Sequence, residues 1–436
     1  MTSSRERVEA ALSHREADRV PLDLGATSCS GIHVSSLYAL RQVLGLDEPG
    51  TPVKVSEPFQ MLGEVTPDLL DCLGVDAVRV GLPNNIYGFA NADWKPWTTF
   101  DGTPVLVPGQ FPTEPEANGD LYMYPKGDRS APPCARMPAS GFYFDSITRQ
   151  EPIDEAHLDP ADNLEEFAAV DDEALEHVRR EVERLGATGR ALLGEFGGTS
   201  FGDAAFVPGP TLAHPRGIRD LEQWYMSLVS QPEYIKEVFE RQCEIGLANL
   251  QRIHGVVGDS LSAVFITGTD FGSQGGPMIG PKTYRALFQP VHARINDWIH
   301  THTSWKTFIH SCGSIWRLLD DLADAGFDAL NPVQTSATDM TPQALKERYG
   351  DRITFWGGGI DTQRVLPFGS PEDVRAMVRE RMQIFGAGGG FVFNTIHNVQ
   401  ARVPVANLVA LYEAVNDYRS YPLEVSAAHS LDTGRS

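Results

Sequence analysis

Eight short apolar runs set the limits on how this chain can fold. They are "VPLDLG" (20–25), "AVRVG" (77–81), "ALLGEF" (191–196), "AVFITGTD" (263–270), "TFIHSC" (307–312), "ALNPVQ" (329–334), "ITFWGGG" (353–359) and "GFVFNTIH" (390–397). Runs that are apolar almost throughout suit parallel strands covered on both faces. Helical patterns follow them. "SIWRLLDDLADAG" places Ile315, Leu318, Leu319 and Leu322 on one stripe and stops at Gly326. "SPEDVRAMVRERMQIFGAGG" opens on a Ser-Pro-Glu start and closes on glycine. Eight strand–helix units predict an α/β fold, a single (β/α)8 TIM barrel over residues 1–420.

The spacing is uneven. Residues 82–187 hold an insertion between the second and third strands, with its distinctive part at about 86–160. The stretch "NADWKPWTTFDGTPVLVPGQFPTEPEANGDLYMYPKGD" is rich in Trp, Pro and Asp-Gly turns and predicts a small antiparallel β excursion. It is either surface ornament or a cap over the barrel mouth. At the N-terminus, Ser3 with Glu6 fits a capping box, ahead of a stripe of Val8, Ala11 and Leu12. Residues 421–436 are polar and expected to be a disordered tail.

Composition excludes several partners. The net charge is −22, which repels nucleic acid and anionic membrane surfaces. No run reaches the roughly 18 apolar residues of a membrane span. The 5 cysteines are scattered, without a CxxC pair, and the N-terminus has no apolar signal core. A disulfide framework is not expected, and a reducing cytoplasmic location is.

In a barrel, residues at the C-terminal ends of the strands converge on one mouth. Here those residues are Asp23, Glu195, Asp270, His310, Cys312, Gln334, the glycines 357–359 with Asp361, and Asn394 with His397. Taken singly, each has a structural use. Buried cysteines are usually small hydrophobes, aspartates cap helices, and glycines make turns. Their convergence argues for chemistry, because buried polar groups cost free energy unless paired. His310 and Cys312, two apart on a strand, share a face. With His397 they form a two-imidazole, one-thiolate set suited to Zn²⁺ with an open fourth position. Asp23, Glu195, Asp270 and Gln334 are the candidate catalytic residues. Asn394, Gly358 and Asp361 are the candidate cofactor contacts, with phosphate binding at the glycine turn a further use.

The motifs "RERVEAALSHREADRVPLDLG", "TDFGSQGGPMIGPKTYRALFQP", "FIHSCGSI", "NPVQ", "GGGIDTQ" and "GGGFVFNTIHNVQARVPVANL" resemble the uroporphyrinogen decarboxylase superfamily, on its zinc-dependent corrinoid methyltransferase branch. That resemblance covers nearly the whole chain outside 86–160. It implies a TIM barrel that binds Zn²⁺ through a His-x-Cys pair, here His310 and Cys312, and a late cysteine, here replaced by His397. Gln334 aligns with a glutamate that can fill the remaining zinc position. The implied reaction passes a methyl group between a corrinoid, such as methylcobalamin, and a small thiol, folate or methylated substrate. No Asp-x-His-x-x-Gly stretch occurs, so a corrinoid protein would be a separate chain; a homodimer is also compatible with the resemblance. With one thiolate and two imidazoles the zinc centre would carry a charge near +1 and act as a stronger Lewis acid than a two-thiolate centre.

Two other activities compete. One is a metal-assisted lyase or hydrolase using Asp23, Glu195 or Asp270 as acid or base. The other is porphyrinogen decarboxylation, which the sequence disfavours. The segment "DLGATSCSGIHVSSLYALRQ" has no arginine before Arg41 to meet the carboxylates of such a substrate. A non-catalytic metal carrier is the reading outside enzymology.

Overall fold

The computed structural model describes residues 2–196 and 201–423. Seven of the eight runs form one parallel sheet, in chain order from strand two to strand eight. These strands are Ala77–Gly81, Ala191–Glu195, Ala263–Thr267, Lys306–His310, Ala329–Asn331, Thr354–Trp356 and Phe391–Val392. The first run closes the ring. Leu22 bridges Phe393 in parallel, Asp23 N–H donates to Phe393 O, and Phe393 N–H donates to Pro21 O. On its other side, Asp76 N–H donates to Leu22 O at 2.7 Å. The chain is therefore a closed (β/α)8 barrel. Apart from Ala77–Gly81, which fills its run, the sheet strands stop a residue or more before their runs end, because the polar residues that close the runs turn away into loops.

The barrel interior is packed by alternating size. Ala77, Ala191, Ala263 and Ala329 leave room for Phe265, Phe308 and Trp356, all buried. Val8, Ala11 and Leu12 of the helix Ser4–Leu12 join the same cluster. That helix opens with the expected Ser3–Glu6 capping box. Ile315, Leu318, Leu319 and Leu322 are buried as their spacing requires, and Gly326 ends the segment at φ +89°. Ser370 forms a second capping box, with Asp373.

The insertion is β-rich as expected, but its sheet recruits more of the chain. Lys95–Thr98 pairs antiparallel with Pro104–Val107, and the latter pairs in parallel with Val53–Glu57. The strands Val53–Glu57 and Leu62–Gly63 precede the second barrel strand and carry no strong sequence signal. A second, antiparallel sheet contains Leu121–Met123, Ala135–Met137 and Asp145–Ser146. Contacts from the insertion reach loops on the catalytic side. His33 Nε2 lies 2.8 Å from Phe142 O, Phe144 N–H donates to Phe59 O, and Arg149 donates to the carbonyls of Gly209 and Leu212. Of the expected tail, Tyr421 docks through its hydroxyl onto Gly386 O. Residues 424–436 lie outside the described residues. Among the described residues, no helix is long and apolar enough to cross a membrane.

Candidate metal and substrate site

The parallel register between the fifth and sixth strands sets His310 beside Asn331. Asn331 is fully buried, and its side-chain N–H donates to Trp356 O at 2.8 Å. That bond fixes the amide so that Oδ1 faces His310 Nδ1, 2.7 Å away. An amide oxygen can only accept, so Nδ1 carries a hydrogen, and in the neutral ring it is Nε2 that keeps the lone pair. Nε2 points to Cys312 Sγ at 3.4 Å. Two ligands at ~2.0 and ~2.3 Å from a tetrahedral ion stand about 3.5 Å apart, so this pair has the separation one zinc-type ion requires.

The turn that carries Cys312 is fixed on three sides. Cys312 N–H donates to Asp270 Oδ1 at 2.8 Å. Gly313 N–H donates to Gln334 Oε1 at 2.6 Å. Gly313 adopts φ +87°, and a Cβ there would sit 2.3 Å from the carbonyl carbon of Gly272.

Two donor groups meet at His310. Ligand atoms of Asp270, His310 and Cys312 lie within 4.8 Å of one another, and so do those of Cys29, His310 and His397. The expected metal set of His310, Cys312 and His397 thus appears as two neighbouring trios sharing one imidazole. The rings of His310 and His397 are edge to face, with centroids 5.3 Å apart. Burial opposes charge on His310, but the Cys312 sulfur and Asp270 outweigh it and raise its pKa to about 9. Burial raises the Cys312 thiol, with His310 pulling it back. Burial, reinforced by His310, lowers His397 to about 3, so its ring is neutral. Sulfur and imidazole donors beside carboxylates fit a borderline-soft divalent ion.

The remaining expected residues have definite partners. Asp23 is 1% exposed and accepts from Trp356 Nε1 and from Ala26 N–H. Its burial raises its pKa to about 6. Glu195 accepts from Ser28 N–H and Oγ and pairs with Arg79 at 2.6 Å. Asn394 donates to Asp23 O and Ser30 O. Gly358 is a packing glycine: a Cβ would stand 2.9 Å from Val333 Cβ. Asp361 caps the next turn, accepting from the N–H groups of Gln363 and Arg364.

Three site residues escaped the sequence reading. Asn331 ends its strand inside "NPVQ", and that position was its signal. Cys29 lies one loop past the first strand, and barrel closure brings it beside His397. Asp203 sits in the long connection after the third strand; burial raises its carboxyl to about 6, with Asp270 adding to the effect.

A closed (β/α)8 barrel with imidazole, thiol and carboxylate groups gathered at its strand ends defines a TIM-barrel enzyme. The chain belongs to the uroporphyrinogen decarboxylase (URO-D) family, whose sequence model matches residues 137–418. It is 33% identical over 111 residues to a uroporphyrinogen decarboxylase of Methylococcus capsulatus, a match covering 26% of this chain and 29% of that protein. It is 28% identical over 147 residues to the Mannheimia succiniciproducens enzyme of the same description, covering 33% and 39%. The matched stretches thus span well under half of these relatives. Among solved structures, a methyltransferase from Methanosarcina mazei superposes with a TM-score of 0.53 at 15% identity, over 96% of this chain and 99% of that one. At that identity the likeness concerns the fold.

Proposed function

We propose that this protein is a zinc-dependent methyltransferase that moves a methyl group between a corrinoid and a small acceptor, a thiol being the acceptor the site suits best. The observation that carries this reading is the His310–Cys312 pair, with Nε2 and Sγ 3.4 Å apart and the imidazole tautomer fixed by Asn331. Bound Zn²⁺ supplies Lewis acidity that lowers the pKa of a coordinated thiol. The chain's residues do the positioning. Asn331 orients His310, Asp270 and Gln334 hold the Cys312–Gly313 turn, and His397 stands neutral beside His310. A methylated corrinoid would supply the methyl group, the electron pair of its carbon–cobalt bond staying on cobalt. The sulfur–carbon bond forms from a sulfur pair, and the thiol proton leaves to solvent or a base. The corrinoid is carried by a separate protein or used free. A reducing, cytoplasmic setting suits the exposed Cys72 and the part-exposed Cys29 and Cys312, all free thiols.

Decarboxylation, the activity named for the relatives, has weaker support. Arg41, the first arginine after the first strand, is spent on Asp47 and Asp68, and Arg79 is held by Glu195. Neither is free to meet a polycarboxylate.

The test is elemental analysis of purified protein, then methylcobalamin consumption with a thiol, followed by visible absorbance. The expected result is one zinc per chain, with turnover lost on chelation and regained on zinc addition. Metal-free protein turning over at the full rate would overturn the reading. Turnover without any corrinoid would favour a metal-assisted lyase or hydrolase.

A further inference from the structure

We infer that Asp270 is a ligand of the metal centre and that His397 is not: the ion is held by the Asp270 carboxylate, His310 Nε2 and Cys312 Sγ. This inference rests on the metal reading above and goes beyond it by exchanging an imidazole donor for a carboxylate.

The first observation is the shape of the trio. Ligand atoms of Asp270, His310 and Cys312 all lie within 4.8 Å of one another. His310 Nε2 stands 3.4 Å from Cys312 Sγ and 4.0 Å from Asp270 Oδ1. Around a tetrahedral ion with bonds of ~2.0 Å to nitrogen and oxygen and ~2.3 Å to sulfur, those two edges are about 3.5 and about 3.3 Å. The nitrogen–sulfur edge already fits, and the carboxylate has about 0.7 Å to close. Rotation about its Cβ–Cγ bond, a soft torsion, is the freedom this needs.

The second observation is how Asp270 is held. It lies just past the strand Ala263–Thr267, which pairs with Lys306–His310. The loops that leave these two strands are laced together. Cys312 N–H donates to Asp270 Oδ1, Phe271 N–H to Ser311 Oγ, and Ser314 N–H to Ser273 O. Tyr225 Oη donates to the Asp270 carbonyl. Gly272 and Gly313 meet backbone to backbone, and a Cβ on Gly272 would stand 2.8 Å from Cys312 O. Asp270 and Cys312 are therefore placed as one unit. A carboxylate oxygen has two lone pairs, so the bond from Cys312 N–H leaves capacity to ligate. Among the described residues, no lysine or arginine pairs with this carboxylate.

The third observation concerns His397. Asn398 N–H donates to His397 Nδ1 at 2.8 Å. That bond uses the Nδ1 lone pair and puts the neutral ring's hydrogen on Nε2. Neither nitrogen then offers a lone pair to an ion. The Cys29 sulfur lies with ring nitrogens of His310 and His397, not with the trio that holds Cys312. Its loop walls the His310 ring on the side of the first strand and supplies no second sulfur.

The donor set decides the charge of the centre. One thiolate, one carboxylate and one neutral imidazole cancel a divalent charge, whereas one thiolate and two imidazoles leave +1. The neutral centre makes a bound thiol less acidic and its thiolate more nucleophilic.

The test counts donors and then removes one. The full chain is loaded with one equivalent of Zn²⁺, and zinc X-ray absorption gives the sulfur and imidazole neighbours. The expected count in the wild-type chain is one sulfur and one imidazole. Any other count overturns the proposal and leaves the methyltransferase reading standing: two sulfurs would bring in Cys29, and two imidazoles would bring in His397. That measurement needs no variant to fold. Asp270→Asn keeps an acceptor for Cys312 N–H but loses the anionic donor. Partners that only position a ligand are worth about 10–100-fold in metal affinity. Competition with a chromophoric chelator should therefore show the Zn²⁺ affinity of Asp270→Asn falling by more than about 100-fold. A smaller fall overturns the proposal. No metal binding by the wild-type chain overturns the metal reading and this proposal together.

Discussion

Asn331 donates to the carbonyl of Trp356 and accepts from Nδ1 of His310, so one buried amide decides which nitrogen of His310 faces the mouth. The pair sits in register on adjacent parallel strands, where side chains project to the same side. Hydrogen-bond partners of this kind fix the ring orientation and basicity of a metal-binding histidine.

Replacing Asn331 with alanine should therefore weaken metal binding by about 10–100-fold without touching a ligand. The Trp356 carbonyl loses its donor, which costs about 1–3 kcal/mol of stability. Competition against a chromophoric chelator measures the first effect and urea unfolding the second. Unchanged metal affinity in a folded variant would show that His310 does not bind through Nε2.

Gly313 makes a second, independent check. Its φ of +87° is costly for any L side chain, and its Cα hydrogen faces the Gly272 backbone where a Cβ would come within 2.3 Å. Gly313→Ala should cost at least about 2 kcal/mol and displace Cys312 from His310. Thermal melting and bound zinc should fall together. A variant with wild-type melting and full zinc would mean that the backbone approach at 272–313 is looser than described.

Asp23 ties stability to pH. Burial raises its folded pKa to about 6, above its ordinary value. The protonated form is thus favoured by folding, and stability present at low pH is lost as pH rises through the folded pKa. Asp23→Asn removes that loss while giving up one accepted hydrogen bond. Between about pH 4 and about pH 7, the unfolding free energy of wild type relative to the variant should fall by about 2 kcal/mol. Urea titrations at the two pH values measure it. A difference independent of pH would show that Asp23 is ionised in the fold at an ordinary pKa.

Much of this was legible in the sequence, for definite reasons. Apolar run length and helix stop signals mark the strands of a two-sided parallel sheet, and the ordered structure follows them to within a few residues. His310 and Cys312 were legible because period-2 geometry needs no tertiary information. Cys29 was not, because its importance comes from barrel closure, which sets residue 29 beside residue 397. Asn331 was half visible, at a strand end but without a partner until the register was known. The strands at 53–63 were missed because they form only by pairing with the insertion, an interaction that local propensity does not encode.

Glu195 shows how the distinction between chemistry and positioning can be measured. From sequence it is a candidate acid or base at a strand end. In the fold its carboxylate accepts from Ser28 N–H and Ser28 Oγ and pairs with Arg79. A carboxylate with those three partners is committed to holding the loop that carries Cys29. Removing a true general base typically costs about 10²–10⁴ in rate and deletes one limb of the pH profile. Glu195→Gln should instead leave the shape of the pH–rate profile intact and lower the rate by less than about tenfold, since the amide oxygen still accepts one Ser28 bond. Glu195→Ala frees Ser28 and leaves Arg79 without its partner. It should therefore lower metal affinity more than Glu195→Gln does, through the loosened Cys29 loop. Measuring rate against pH and Co²⁺ affinity on both variants separates the cases. If Glu195→Gln loses a limb of the profile while binding metal as tightly as wild type, Glu195 is a proton-transfer residue and the positioning role is wrong.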